Sequence, residues 1–394
     1  MSAREGSPGA VRAAVASAPA AAALCGSPAE APDPASARSA AEPASVAPSS
    51  VEPVETPGPS ALVADVVVRA VERLSPSFVR VTLAGPALVD LGEDGFDTRF
   101  KLVLPGPSEV LPAIPDRVED YWGAVQELPS GVRPAVRTYT VRDVLRRAGE
   151  ALLVVDLVVH DEALVDAGAS AHDRAPSHGG SSAHVAGPAC RWALAARPGD
   201  RLQVVVPHRD GTYGGTEFDP GGRGRLLLVG DATAVPAIAR ILTDLPYGRR
   251  GHVFVEAPTA ADLALLPERT GMRVHRSVTD GRPGRRLVAD VRRHLGLPDV
   301  TPPPGSATPA PGAAGDDVWE TPRFSASGED VIAPGSASRR VPPPTVQGLE
   351  DLHAWIAGES WMVRTLRRAL VGELGLDRAQ VAFMGYWREG VAMR

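Results

Sequence analysis

Residues 225–257 read RLLLVGDATAVPAIARILTDLPYGRRGHVFVEA: an apolar run, a helical pattern, then a second apolar run. Thr233 suits a helix N-cap and Pro236 an early helical position. The alternation recurs. HVFVEA (252–257) leads into ADLALL, MRVHRSV (272–278) into RRLVADVRRHL and LHAWIAG (352–358) into MVRTLRRALVGEL, and QVAFMGYW (380–387) closes the series. Five strands with crossover helices imply a parallel, doubly wound sheet. Nucleotides bind such sheets beyond the carboxyl ends of the strands, where Gly230, Asp231, Ala232 and Thr233 fall. The glycine fingerprint of dinucleotide sites is absent, so placement alone carries that expectation.

Upstream the texture differs. From 61 to about 210 run six short β-rich segments: ALVADVVVRAVERL, FVRVTLAG, FKLVLP, VRTYTVR, ALLVVDLVVH and RLQVVVP. Turns such as Arg197-Pro198-Gly199-Asp200 separate them. With no helical pattern between, they suggest a six-stranded antiparallel β-barrel. Residues 1–60 contain no Phe, Tyr or Trp and are expected to be a disordered arm. Residues 161–186, and 301–347 with its ten prolines, read as surface-loop insertions. The expected organisation is an arm (1–60), a barrel domain (61–222) and a nucleotide-binding α/β domain (223–394).

The 394 residues carry a formal net charge of -6 and no long basic run, which argues against nucleic acid as the main partner. Two cysteines, Cys25 and Cys190, cannot build a disulfide framework, and a reducing compartment is the natural reading. No stretch approaches the ~18 apolar residues of a membrane span. The Ala-rich run before Cys25 is interrupted by Ser17 and Pro19, and Leu24 stands where a lipoprotein site needs a small residue, so export is not expected. His172, His178 and His184 are too widely spaced for a rigid metal site, and no metal is assigned. Lys101 is the only lysine beside 40 arginines. It is either a chance survivor or an amine wanted at that position.

Two segments carry chemistry of their own. In Arg137-Thr138-Tyr139-Thr140 a guanidinium can clamp a pyrophosphate, a phenol can stack on a flat isoalloxazine, and a hydroxyl can meet a ring nitrogen. Period-2 geometry puts Arg137 and Tyr139 on one face and turns Thr140 to the other. An ordinary strand with an exposed Arg and a packed Tyr would read the same. Gly187-Pro188-Ala189-Cys190-Arg191-Trp192-Ala193 reads as a turn feeding a short helix, whose N-terminus offers N–H groups to a phosphate. Trp192 could equally be a core anchor, and Cys190 a buried filler.

In order and spacing, FKLVLP, RTYT, VDLVVH (155–160), GPACRWA, LLLVGDATAVPAI (226–238), AWIAGE (354–359) and VAFMGYWREG (381–390) resemble the siderophore-interacting protein family. These are flavin-dependent ferric-siderophore reductases related to the ferredoxin-reductase fold. The resemblance covers 61–394 apart from the two insertions. It implies FAD held by Arg137, Thr138, Tyr139, Thr140, Gly187, Pro188, Ala189, Trp192 and Ala193, with His160 at the flavin or its ribityl chain. It implies NADPH or NADH contacts at Asp231, Thr233, Gly358 and Glu359, and an aromatic cover from Tyr386 and Trp387. Where Ala232 stands, the family usually carries Glu. Lys101, Arg142 and Arg388 are the candidates to hold an anionic ferric siderophore.

The implied activity is hydride transfer from NAD(P)H to FAD, then single electrons to a ferric chelate, with no catalytic acid or base. Iron(II) is held more weakly than iron(III) by hard oxygen donors, so reduction releases it. Two alternatives stay open: a flavin reductase serving a ferredoxin or other redox partner, and a non-catalytic siderophore- or flavin-binding module. A cytoplasmic location is expected.

Overall fold

The computed structural model describes residues 59–92, 95–106, 109–115, 118–159, 187–211, 215–280, 282–299, 319–321, 324–325 and 348–389. Residues 1–58, His160, the insertion 161–186 with its histidines, and most of 301–347 lie outside the described residues.

Seven strands form the first sheet: β1 (Ala61–Ser75), β2 (Phe78–Ala84), β3 (Arg99–Leu104), β4 (Ala135–Thr140), β5 (Asp143–Arg147), β6 (Glu150–Val158) and β7 (Arg201–Pro207). Their order is β4-β3-β7-β1-β2-β6-β5, with every neighbouring pair antiparallel. The six expected strands are all present. The seventh, β5 (DVLRR), ends in three exposed residues and so shows no apolar alternation. The sheet curls into a half-barrel around Val66, Val81, Leu83, Phe100, Leu153 and Val204. A helix that the sequence did not suggest, α1 (Tyr121–Glu127), packs Tyr121 and Val125 on Val103 and Val205 of the outer face. The Tyr121 hydroxyl donates to Gln203 Oε1 at 2.7 Å.

The second sheet contains β8 (Arg225–Gly230), β9 (Arg250–Ala257), β10 (Met272–Val278), β11 (Trp319–Thr321), β12 (Phe324–Ser325), β13 (Leu352–Glu359) and β14 (Val381–Trp387), in the order β10-β9-β8-β13-β14-β11-β12. The five expected strands are parallel. The hairpin β11/β12 comes from within 301–347 and adds antiparallel to β14. Part of an expected loop therefore covers what would be an open sheet edge.

Five more α-helices lie among the described residues: α2 (Pro188–Ala195), α3 (Val235–Asp244), α4 (Ala260–Leu263), α5 (Arg285–His294) and α6 (Ser360–Arg367). Ile238 and Leu242 of α3 and Leu263 of α4 bury one face of the parallel sheet. Val288 and Val291 of α5 and Leu366 of α6 bury the other. Strand order reverses between β8 and β13, which makes their carboxyl ends the place for a ligand crevice. Among the described residues no helix is long and apolar enough to cross a membrane.

Two buried aspartates join the sheets. Asp97 accepts from the backbone N–H groups of Glu217 (3.1 Å) and Phe218 (2.9 Å) and from Trp355 Nε1 of β13 (2.8 Å). Asp262 of α4 accepts from Ser75 Oγ at 2.5 Å and Ser77 N at 3.0 Å, both in the β1–β2 hairpin. Ser75→Ala should cost about 1.5–3 kcal/mol, the worth of a hydrogen bond to a charged group. Urea unfolding would measure it, and an unchanged midpoint would show that the clasp contributes nothing.

Candidate functional site

β4 pairs with β3 on one side and is the edge of its sheet on the other. In the ladder Tyr139 lies opposite Phe100 and Arg137 opposite Leu102, both residues of the half-barrel core. Thr138 lies opposite Lys101 and Thr140 opposite Arg99, on the other face. The alternation expected of RTYT is therefore present, with no bulge. Tyr139 is half-buried against the core beside Cys190, and burial pushes its phenol up from the usual range. Arg137 Nη1 donates to the Val136 carbonyl at 2.7 Å.

The same core includes Ala189, Cys190 and Ala193 of α2, with Trp192 packed against it. That contact is compatible with both roles the sequence left open for Trp192, core anchor and flavin contact. Gly187 is the N-cap of α2; among the described residues no side chain caps the helix, and its first turn holds no acid. A Cβ added at Gly187 would find nothing within 4 Å. A strand edge and a helix N-terminus left without partners among the described residues, with a half-buried aromatic between, fit a flavin dinucleotide with its pyrophosphate.

At the carboxyl edge of the parallel sheet, Asp231 ties three segments together. Its Oδ1 accepts from Thr233 N (2.9 Å) and Thr233 Oγ1 (2.6 Å). Its Oδ2 accepts from Glu359 N and from Trp387 Nε1, both at 2.7 Å. Thr233 is thus not the N-cap expected from the sequence: Asp231 caps a short 3-10 turn, Ala232–Ala234, that precedes α3. Gly358 has φ +139, and a Cβ there would stand 2.5 Å from Asp231 Oδ2. Only glycine allows this approach.

Glu359 is buried and caps α6, its Oε2 accepting from Trp361 N (2.6 Å) and Met362 N (3.1 Å). Burial pushes both carboxyls up, and the Asp231 charge adds to the rise at Glu359. Tyr386 does not share the Asp231 knot with Trp387. It packs on the core beneath α3 and α4, where burial and then the charge of Asp97 push its phenol up.

The three candidate substrate cations lie in different surroundings. Lys101 Nζ donates to Thr138 Oγ1 at 2.6 Å, and burial, then Arg99, hold its ammonium below the usual range. Arg142 is drawn to the buried Asp156 (3.5 Å), which also takes Arg80 at 2.7 Å. That engagement counts against a substrate role, since the guanidinium would have to leave a buried carboxylate. Arg388 is half-buried just past β14. Among the described residues no group of three or more His, Cys, Asp or Glu is placed to hold a metal ion.

Residues 67–211 match the family model described as the siderophore-interacting FAD-binding domain, and residues 224–390 match the model for siderophore-interacting protein. The chain belongs to the siderophore-interacting protein family. Ferric vibriobactin reductase of Vibrio cholerae is 25% identical to it, over 80% of this chain and 86% of that one. The NADPH-dependent ferric-chelate reductase of Escherichia coli is 31% identical over 46% of this chain and 56% of its own. The crystal structure of a siderophore utilization protein from T. fusca shares the fold, with a TM-score of 0.54 and 26% identity over 84% of this chain and 95% of that one.

Several residues of this siderophore-interacting protein that shape the site were not singled out from sequence. Asp97, Asp262 and Glu256 are fully buried acids, and nothing local distinguishes them from surface carboxylates. For Glu256 one signal existed: it is the last residue but one of β9, near the carboxyl edge where ligands bind in such sheets.

Proposed function

We propose that this siderophore-interacting protein is a ferric-siderophore reductase, an FAD enzyme that takes hydride from NAD(P)H and delivers electrons to a ferric chelate. The observation that carries this reading is the β4 edge, where Arg137 and Tyr139 share a face beside the Gly187 start of α2. The names of the two reductase relatives support the substrate class.

FAD, when bound, supplies the conversion between a two-electron donor and a one-electron acceptor. Arg137 and the Gly187–Ala189 backbone would hold its pyrophosphate, and Tyr139 would support the ring. Thr138 and Thr140 offer hydroxyls on the opposite face. The Asp231 knot would shape the dinucleotide crevice with Thr233, Gly358 and Glu359, and Trp387 would close it. Lys101 would attract an anionic chelate. A cytoplasmic location accords with the low cysteine content and belongs to this proposal.

The purified protein should be yellow, be bleached anaerobically by NADPH or NADH, and recover its colour on addition of a ferric siderophore as iron(II) appears in a ferrous-specific trap. A colourless protein that takes up no FAD would leave only a binding module. Reoxidation by ferredoxin but by no ferric chelate would move the electrons to a protein partner. Arg137→Ala should weaken FAD binding by about 1.5–3 kcal/mol while the half-barrel still folds. Full flavin retention after gel filtration would remove Arg137 from the clamp.

A further inference from the structure

In a doubly wound dinucleotide domain the adenosine ribose lies near the end of the second strand. An acid there accepts from the 2′-hydroxyl of NADH, or an arginine nearby accommodates the 2′-phosphate of NADPH. Glu256, near the end of β9, occupies the acid's position. It is only 1% exposed, and its Oε1 accepts from Gly284 N at 2.9 Å and Thr279 Oγ1 at 3.1 Å. Glu256 is turned into the fold to hold the start of α5. It is withdrawn from any ribose.

Basic side chains stand at the rim instead. Arg282 lies just before α5, while Arg285 and Arg286 open its first turn, which contains no acid. Cations at a helix N-terminus oppose the helix dipole. Functional sites are where proteins break such local rules. Arg286 has Asp290 at 3.9 Å, and the neighbouring Arg276 has Glu268 at 2.8 Å. Among the described residues neither Arg282 nor Arg285 has a carboxylate at ion-pair distance.

Arg285 is held from the side. Its guanidinium lies 5.4 Å from the ring centroid of Trp361, which is 36% exposed at the start of α6. Gly284 makes this possible: with φ +78 and only 2.8 Å between an added Cβ and Met362 Cβ, it lets α5 and α6 begin against each other. The Gly284 N–H is already taken by Glu256, so recognition of an anion here falls to side chains.

We propose that Arg282 and Arg285 read the 2′-phosphate of the donor, with Trp361 positioning Arg285, so that the protein prefers NADPH to NADH. This rests on the nicotinamide-dinucleotide reading of the α/β half given above. Two guanidinium forks with no carboxylate at ion-pair distance among the described residues match a dianionic phosphate through paired charge-assisted hydrogen bonds. A 2′-hydroxyl offers them one weak acceptor.

Calorimetric titration of the full-length, FAD-loaded protein with 2′,5′-ADP and with 5′-AMP isolates the 2′-phosphate without requiring turnover. The wild type should bind 2′,5′-ADP about tenfold or more tighter than 5′-AMP, the worth of one charge-assisted hydrogen bond. Arg282→Ala and Arg285→Ala should each remove about tenfold of that preference, and Arg276→Ala should keep it. Trp361→Ala should raise the KM for NADPH without lowering kcat, and Trp361→Phe should restore it, because the ring acts only by placing Arg285. Equal binding of the two nucleotides by the wild type, or a preference that survives both arginine substitutions, overturns the inference alone. Binding of neither nucleotide overturns it together with the dinucleotide reading.

Discussion

Replacing Asp231 with alanine is expected to lower the unfolding free energy by about 3–5 kcal/mol, a loss reserved for buried polar networks. The carboxylate accepts four hydrogen bonds, from Thr233 N, Thr233 Oγ1, Glu359 N and Trp387 Nε1. Alanine strands the Glu359 amide and the Trp387 indole N–H inside the protein without acceptors. Desolvation of those donors adds to the loss of the bonds themselves. Asp231→Asn keeps one accepting oxygen and should cost about half as much, since its amide nitrogen would face donors. Urea unfolding followed by tryptophan fluorescence reads the effect. A loss below about 1 kcal/mol for the alanine variant would mean that water or a local shift re-satisfies the donors.

Acidification is expected to weaken the fold through His353. This residue is fully buried in β13, neither ring nitrogen finds a partner among the described residues, and Phe218 meets its ring edge-on at 5.5 Å between centroids. Burial holds its pKa down to about 4, with the Arg223 charge adding to the fall. The unfolded chain takes up this proton near pH 6.5 and the folded one does not, so stability is lost as pH falls from about 6.5 towards about 4. The full loss amounts to about 3 kcal/mol. Asp97, Asp231, Glu256 and Glu359, pushed up mainly by burial, act in the opposite sense because their folded forms bind protons more readily.

The informative quantity is therefore a difference between variants. His353→Leu should remove the contribution, flattening the pH dependence between about 6.5 and 4 relative to wild type. At pH 7 it should be neutral or stabilising, since an unpartnered imidazole is replaced by an apolar side chain. Identical pH slopes for the two proteins would show that the ring is solvated or partnered in solution.

Much of the architecture was legible locally. The five parallel strands announce themselves as apolar runs followed by helical patterns, and six of the seven half-barrel strands by their β-rich runs. β5 was missed because its exposed Leu145, Arg146 and Arg147 face water and carry no period. α1 was missed because it is short and sits in a Pro-rich connection, its helical form depending on Tyr121 reaching the outer face of the half-barrel. The hairpin β11/β12 was hidden in low-complexity sequence, and its strands become recognisable only against the waiting edge of β14.

By itself the sequence determined the class of each half, the shared face of Arg137 and Tyr139, and the placement of the Asp231 loop at the end of its strand. These depend on periods of two and 3.6 residues, which a short stretch carries within itself. Tertiary structure alone decided which distant groups meet. Asp231 bonds Glu359 and Trp387 far along the chain, Asp262 reaches back to the β1–β2 hairpin, and Asp156 claims Arg142. Glu256 is turned inward by Gly284 and Thr279, which leaves the outer rim to arginine. A buried carboxylate takes whichever donors the packed chain brings within reach, and that choice is made by burial across the fold, not by neighbours in sequence.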